Sequence, residues 1–486
     1  MVGPVDTSAS SLSPGESLES HRSTLDMVSR WPMDRPVAAL VGGDGTGSWP
    51  TILAPPIAAV QFWCVDGERV ERRVVAWDDG AVPIHDDACA PMLDQLRVMF
   101  RMDARSEAST SDFAGGWLGW MAYEAGRLME PTGRFAGRGP SLDAKLLCEW
   151  HWCPDAIIER EGGGWHAVGD EDRLRACVQS REDQRGFIAR VTGGSMDAAT
   201  YRSRVARVVE LIAAGDVFQV NLAHRLDAAF AGSARSAFAR LATAARPRFG
   251  AYFEGSGYHN GVRHAILSAS PELFLRFDSR TRALTTQPMK GTRAGSESRE
   301  LLARAQKDQA ELAMIVDLMR NDLGRVCDLG SVRVLATRDI ESHGAGPARL
   351  WQATATVGGR LRDDRTIADA LWAAFPPGSI TGAPKVRAMQ IIDELELADR
   401  GAYCGCAGFV SRCGNAALNV TIRTAMIQGH TLDASLDDFD SGRLTYGVGA
   451  GIVSDSDPDA EWRETLDKAR ILDALLEDDR QIRSVR

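Results

Sequence analysis

The sequence predicts a mixed α/β fold of the α+β type, and three features point to it. Short apolar runs rich in β-branched and aromatic residues end at glycine- or aspartate-bearing turns, as strands do. Other stretches repeat their apolar residues at helical spacing. No period of roughly 20–50 residues recurs, which disfavours a solenoid. At 486 residues the chain is long for one core, so it suggests two to three domains or one large layered body.

Taken in order, Val5 to Ser23 is rich in Ser with Pro, Gly and Glu and has no signal-peptide-like apolar core. Residues 1–30 are therefore expected to form a disordered leader. Residues 31–190 form a second zone. There Val37 to Val41 precedes the turn Gly42-Gly43-Asp44-Gly45, and Val60 to Val65 reads as a strand closed by Asp66-Gly67. Gly115 to Trp120 opens another apolar segment ending in Tyr123-Glu124. Glu161 to Ser195 is polar and reads as a hairpin tip at Gly162-Gly163-Gly164 followed by a linker. The third zone, 196–475, starts with a helix from Tyr201 to Ala214, marked by Val205, Val208, Val209 and Ile212. A strand from Val217 to Leu222 follows. Long helices are expected from Arg299 to Leu323 and from Asp459 to Leu476.

The charge balance excludes some functions. A net charge of −10 leaves no basic footprint for nucleic acid, so an anionic ligand must meet a local cluster of cations, amides or metal. No run approaches the roughly 18 apolar residues of a membrane helix. Nine cysteines lack a paired framework, and the close pair Cys404 and Cys406 has no His-x-His companion, so zinc is disfavoured. Loose spacing and an odd count favour a reducing, cytoplasmic compartment.

The stretch Thr286-Gln287-Pro288-Met289-Lys290-Gly291-Thr292-Arg293 frames a lysine between a proline turn and a glycine. Proline fixes φ, glycine admits close backbone approach, and Thr and Arg suit an anion. Alone the string is weak, because most lysines are solvated surface groups. Asp308 and Glu311 lie three residues apart on one helix face, as do Glu461 and Glu464, with Lys468 four further on. Such pairs usually form a solvated face; converging on one pocket, they suit magnesium, which prefers oxygen ligands. Pro376 to Lys385 is a rigid turn opening a helix from Val386 to Leu395, and Ser379, Thr381 and the helix-start amides suit an anion. A plain capping loop is its bland reading. Tyr446 to Gly451 is glycine-rich but no helix start follows, so a dinucleotide fingerprint is rejected. Glu272, in Ser268-Ala269-Ser270-Pro271-Glu272, sits between two strands as a candidate acid–base group. Arg423, inside a strand-like run from Val420 to Ala425, is expected to face a pocket or a carboxylate.

In this order, over about 196–475, the motifs resemble those of the chorismate-utilising enzymes. SASPE, PMKGTR, AELAMIVDLMRNDLGRV, PPGSITGAPKVRAMQIIDELE, TIRTA, GVGAGIV and ETLDKAR carry the resemblance, and GGWLGWMAYEAG extends it to the N-terminal region of the aminating members. The resemblance implies two antiparallel-rich β-sheets packed face to face, flanked by helices, with the active site in the cleft between them. It also implies a choice among members. Water-adding members carry a lysine base where this chain has Gln219. At the position of Lys290 the anthranilate-forming branch carries alanine and the aminodeoxychorismate-forming branch carries lysine.

The implied activity is amination of chorismate at C4 to 4-amino-4-deoxychorismate, a step towards p-aminobenzoate and folate or towards a secondary pathway. Lys290 is the implied nucleophile at C2 and Glu272 its acid–base partner. Magnesium on Glu311 and Glu464, supported by Asp308 and Glu461, is expected to bind one substrate carboxylate. Arg423, Tyr403 and the Gly449-Ala450-Gly451 backbone are expected to bind the other. Gly291 and Thr292 flank the ring, and Thr381 and Lys468 complete the substrate site. Two departures stand out: Gln352 replaces a histidine common in the family, and Leu40-Val41-Gly42-Gly43 lacks the serine that helps form a tryptophan site in aminating members. No Cys-His-Glu glutaminase signature occurs, so ammonia is expected from solution or from a separate glutamine amidotransferase subunit. An anthranilate synthase component and a non-catalytic chorismate-binding subunit are the alternatives.

Overall fold

The structure, a computed structural model, describes residues 23–42, 48–65, 69–101, 112–130, 144–159, 164–178, 185–258, 261–294, 296–343, 350–432 and 435–476. Two eleven-stranded sheets form its body, and their strand pairs are antiparallel. The sheets share their core: Leu40, Phe249 and Phe253 of the first meet Leu118, Phe409 and Ala417 of the second. Helices cover the outer faces. Ala198–Ala213 and Pro458–Ala469 pack on strands Gln219–Ser233 and Asp438–Ile452 of the first sheet, and Gln306–Gly324 packs on Leu350–Arg360 of the second. The expected sandwich of antiparallel sheets flanked by helices is what the chain forms.

Neither half of the chain builds a sheet alone. In the first sheet, strand Ala38–Val41 pairs with Phe249–Ser256, with Leu40 opposite Ala251. In the second, Gly116–Met121 pairs with Cys406–Ser411, with Gly119 opposite Gly408. Each sheet is thus a C-terminal half extended by N-terminal strands across such a seam, and the first also takes strand Phe187–Gly194 beside Gln219–Ser233.

Several expectations need correction. The segment expected to be disordered up to residue 30 is folded from Ser23, which caps helix Thr24–Ser29. Met27, Val28 and Trp31 give that segment an apolar face, which is buried with Phe238 and Leu241. Residues 1–22 lie outside the described residues. The stretch read as hairpin and linker contains the hairpin of Ala156–Glu159 and Trp165–Val168, whose tip is outside the described residues. It also contains helix Glu171–Val178, which buries Leu174 and Cys177, and strand Phe187–Gly194, which pairs with Gln219–Ser233.

The helix expected from Arg299 to Leu323 is two helices, Arg299–Arg304 and Gln306–Gly324, separated at Ala305 in extended backbone. Arg338 Nη2 donates to the Leu302 carbonyl at 2.7 Å and Gln309 Nε2 to the Ala303 carbonyl at 2.6 Å, so side chains replace helical amides there. The terminal helix runs Pro458–Ala469 and tightens into a 3₁₀ turn, Arg470–Ala474. Among the described residues no helix is long and apolar enough to cross a membrane. All nine cysteines are free thiols.

Candidate active site

Strand Met289–Ala294 carries Lys290 into the space between the sheets. Its Nζ lies 3.7 Å from Glu311 Oε2, and the Lys290 and Glu311 side chains are each 14% exposed. Gly451 explains how the amine reaches the other sheet. A Cβ at that position would stand 3.0 Å from Lys290 Nζ and 2.4 Å from Gln219 Nε2. Glycine leaves room for both groups, which is why this strand needs a residue without a side chain. Gln219 is opposite Ala383, at the start of its strand, and its Oε1 is buried without a hydrogen-bond partner among the described residues.

Glu272 sits where the chain leaves the first sheet for the second, between strands Val262–Ser270 and Leu273–Asp278. Burial pushes its carboxyl up to about 7, while the Ser379 hydroxyl, the Lys290 ammonium and the Met289 amide oppose that shift. A carboxyl that keeps or gives a proton near neutrality is suited to acid–base work beside an amine. Ser379 belongs to the turn Gly378–Ile380, within the anion-suited loop recognised in the sequence. Thr381, expected to meet substrate, instead turns its hydroxyl to the Pro377 and Gly378 carbonyls of its own turn. The hydroxyl this turn presents to the acid–base group is that of Ser379.

Arg423 is not in a strand. Strand Ala416–Val420 belongs to the second sheet and Thr424–Thr431 to the first, and Arg423 lies in the crossing between them with φ +52°. Its guanidinium makes no hydrogen bond or ion pair among the described residues, and burial holds its pKa below the usual value. A partly buried cation without a counter-charge is costly unless an anion arrives. Tyr403 packs its ring on Gly447, where a Cβ would come within 2.2 Å of Cδ1.

Lys468 Nζ donates to the Gly449 carbonyl at 2.8 Å and pairs with Glu464 at 2.8 Å. The helix bearing Glu464 is seated by His224, whose ring stacks on Trp462 at 4.9 Å and whose Nε2 meets Thr465 Oγ1 at 2.9 Å. Glu311 and Glu464 therefore reach lysines that touch Gly451 and Gly449, two residues apart on one strand, with Ala450 between them. Their proposed supports are held elsewhere: Asp308 packs against Gly291 and pairs with Arg293 at 3.4 Å, and Glu461 accepts the Ser456 hydroxyl at 2.6 Å. Gly291 needs its positive φ of +84° and the absence of a side chain for that packing. The Thr292 side chain lies outside the described residues. Gln352 pairs with Thr292 on the adjacent strand, and its buried Oε1 has no hydrogen-bond partner among the described residues.

As to a metal, no group of three His, Cys, Asp or Glu side chains among the described residues is arranged to hold one. Magnesium commonly uses only one or two carboxylates with waters and substrate oxygens, so the Glu311 and Glu464 donor set fits it chemically. The sequence marked Ser379 only as an anion-suited hydroxyl and not as the partner of Glu272, and it left out the buried pair Glu396 and Arg400. A glutamate and an arginine four apart at a helix end were the available signal.

An amine, a carboxyl poised near neutrality and an unpaired arginine between two sheets define a site for a small anionic molecule. The family of chorismate binding enzymes matches residues 64–473, and the chain belongs to that family. It is 36% identical over 417 residues to aminodeoxychorismate synthase component 1 of Escherichia coli (strain K12), covering 83% of this chain and 84% of that protein. It is 39% identical over 435 residues to an anthranilate synthase component 1 of Haloarcula marismortui, covering 83% and 81%. The fold is that of anthranilate synthase component I from Streptococcus pneumoniae, with TM-score 0.67, 24% identity and coverage of 88% and 93%. The menaquinone-specific isochorismate synthase MenF of Escherichia coli shares it at TM-score 0.65 and 18% identity, covering 95% and 93%.

Proposed function

We propose that the chain aminates chorismate at C4, yielding 4-amino-4-deoxychorismate, with ammonia delivered by a separate glutamine amidotransferase subunit. The observation that carries this reading is the meeting of Lys290 Nζ and Gln219 at Gly451, with the charge of that amine felt by the Glu272 carboxyl. A glutamine at 219 cannot act as the base that water addition needs, whereas an amine beside an acid–base carboxyl can form a covalent adduct.

In the first step the Lys290 ammonium gives a proton to Glu272, the freed nitrogen bonds to C2, the ring double bonds shift, and the C4–oxygen bond breaks as Glu272 passes that proton to the leaving hydroxyl. Ammonia then bonds to C4, the double bonds shift back, and the C2–nitrogen bond breaks to free Lys290. The proton that ammonia must lose passes to Glu272, restoring its acid form. Arg423 holds a substrate carboxylate by charge-assisted hydrogen bonds. Magnesium, when bound by Glu311 and Glu464, supplies positive charge for the other carboxylate.

The second reading is anthranilate formation, favoured by the 39% identity to an anthranilate synthase component. Incubation of the purified chain with chorismate, magnesium and ammonium, with products identified by mass, separates the two. Aminodeoxychorismate is expected from the parent chain, and its formation should be lost in Lys290→Ala with the fold intact. Anthranilate from the parent chain, or undiminished aminodeoxychorismate from the variant, overturns the proposal.

A further inference from the structure

Arg400 touches none of the reacting groups, yet its side chain is only 2% exposed and each of its three nitrogens donates a hydrogen bond. Nε donates to Glu396 Oε1 and Oε2 at 3.2 and 3.0 Å, and Nη2 donates to Glu396 Oε1 at 2.6 Å. The remaining bonds leave the ion pair. Nη1 donates to the Ile380 carbonyl at 2.9 Å, and Nη2 donates to the Asn221 carbonyl at 2.7 Å. The Tyr123 ring lies 4.4 Å from the guanidinium carbon. Glu396 is held in turn by the Ala223 amide at 2.9 Å, and Glu124 accepts the Arg400 amide at 2.8 Å.

A buried ion pair is weak evidence for stabilisation, because desolvating two charges offsets their attraction. The more telling fact is what the fork grips. Ile380 follows Ser379, which bonds Glu272, and Asn221 is two residues from Gln219, which meets Lys290 at Gly451. The two gripped segments also touch directly, through the Asn221 amide and the Thr381 carbonyl at 2.7 Å.

We propose that Arg400 is a positioning residue that sets the spacing between the Ser379–Glu272 wall and the Gln219–Lys290 wall of the cleft. It does so by holding the Ile380 and Asn221 carbonyls with one planar guanidinium. Lysine, a point charge on a flexible stem, cannot hold two carbonyls and a carboxylate at fixed angles. The inference rests on the functional reading above for its catalytic consequence, though not for its geometry.

The test compares the parent chain with Arg400→Lys, Ser379→Ala and the double variant in chorismate turnover with ammonium. Arg400→Lys should lower kcat by about 10–100-fold with KM changed far less, the cost of a misplaced catalytic group. The double variant should lose much less than the product of the two single losses, because both act on Glu272. Unchanged kcat, or losses that simply multiply, overturns the proposal. If Arg400→Lys does not fold, Glu396→Asp withdraws the fork's anchor and should give the same kcat-selective loss; unchanged kcat in that variant overturns the proposal equally. Amide hydrogen exchange supplies a readout independent of substrate. The Asn221 amide should exchange roughly tenfold faster in Arg400→Lys or Glu396→Asp, with strand Cys406–Ser411 unchanged. A parent chain inert towards chorismate sinks the functional reading, and exchange at Asn221 then decides the positioning inference alone.

Discussion

Glu272 holds its proton up to a pH of about 7, where an ordinary glutamate ionises near 4.5, because it is buried. Between those values the folded chain keeps a proton that the unfolded chain has lost, so stability falls as pH rises through this window. Glu272→Gln removes that slope. The variant should match the parent at pH 4 and exceed it at pH 8 by roughly 1–3 kcal/mol in urea unfolding. An equal stability difference at both pH values would refute the assignment. Arg423 makes the opposite kind of claim. Arg423→Gln removes a partly buried, unpartnered cation, so the free protein should melt no lower than the parent. Chorismate binding, measured by calorimetric titration, should weaken by roughly 10–100-fold, the worth of a charge-assisted bond. A variant that binds as tightly removes Arg423 from the substrate site. Lys290 and Glu272 were legible because proline, glycine and strand-end neighbours mark them locally. Ser379 was legible only as one hydroxyl of an anion-suited turn, since its bond to Glu272 joins residues more than a hundred positions apart.

At the scale of elements, the helices that carry Glu311 and Glu464 were expected from the sequence, but not how each is seated. Nothing near Ala305 reads as a helix breaker, because the break depends on Arg338 reaching Leu302 from another strand. Strand Phe187–Gly194 was hidden for a related reason: it is a short edge strand that follows a polar stretch and ends in Gly193-Gly194, and its pairing with Gln219–Ser233 is what marks it. The crossing at Ile422 and Arg423 reads as strand because its residues are β-formers, and only the path between two sheets reveals the turn. Seating matters for the metal. Glu311→Gln and Glu464→Gln should each weaken magnesium binding by about 10–100-fold in a direct titration, in line with losses at other metal sites. Full activity of the parent chain in excess chelator counts against both carboxylates as ligands.

For the whole molecule, the division of labour with a glutaminase is the broadest claim. The chain should use ammonium salts better at high pH, where more free ammonia exists, and should not use glutamine until an amidotransferase subunit is added. Glutamine-dependent turnover by the highly purified single chain overturns that division. The two sheets carry a further consequence through their seams. Cutting the chain near residue 195 would strip Ala38–Val41 from Phe249–Ser256, Phe187–Gly194 from Gln219–Ser233 and Gly116–Met121 from Cys406–Ser411. The C-terminal fragment would then bare three strand edges at once, each lined with unpaired amides and carbonyls, and such edges recruit other chains. An excised catalytic half is therefore a template for aggregation, and co-expression of the missing half should be what keeps it dispersed.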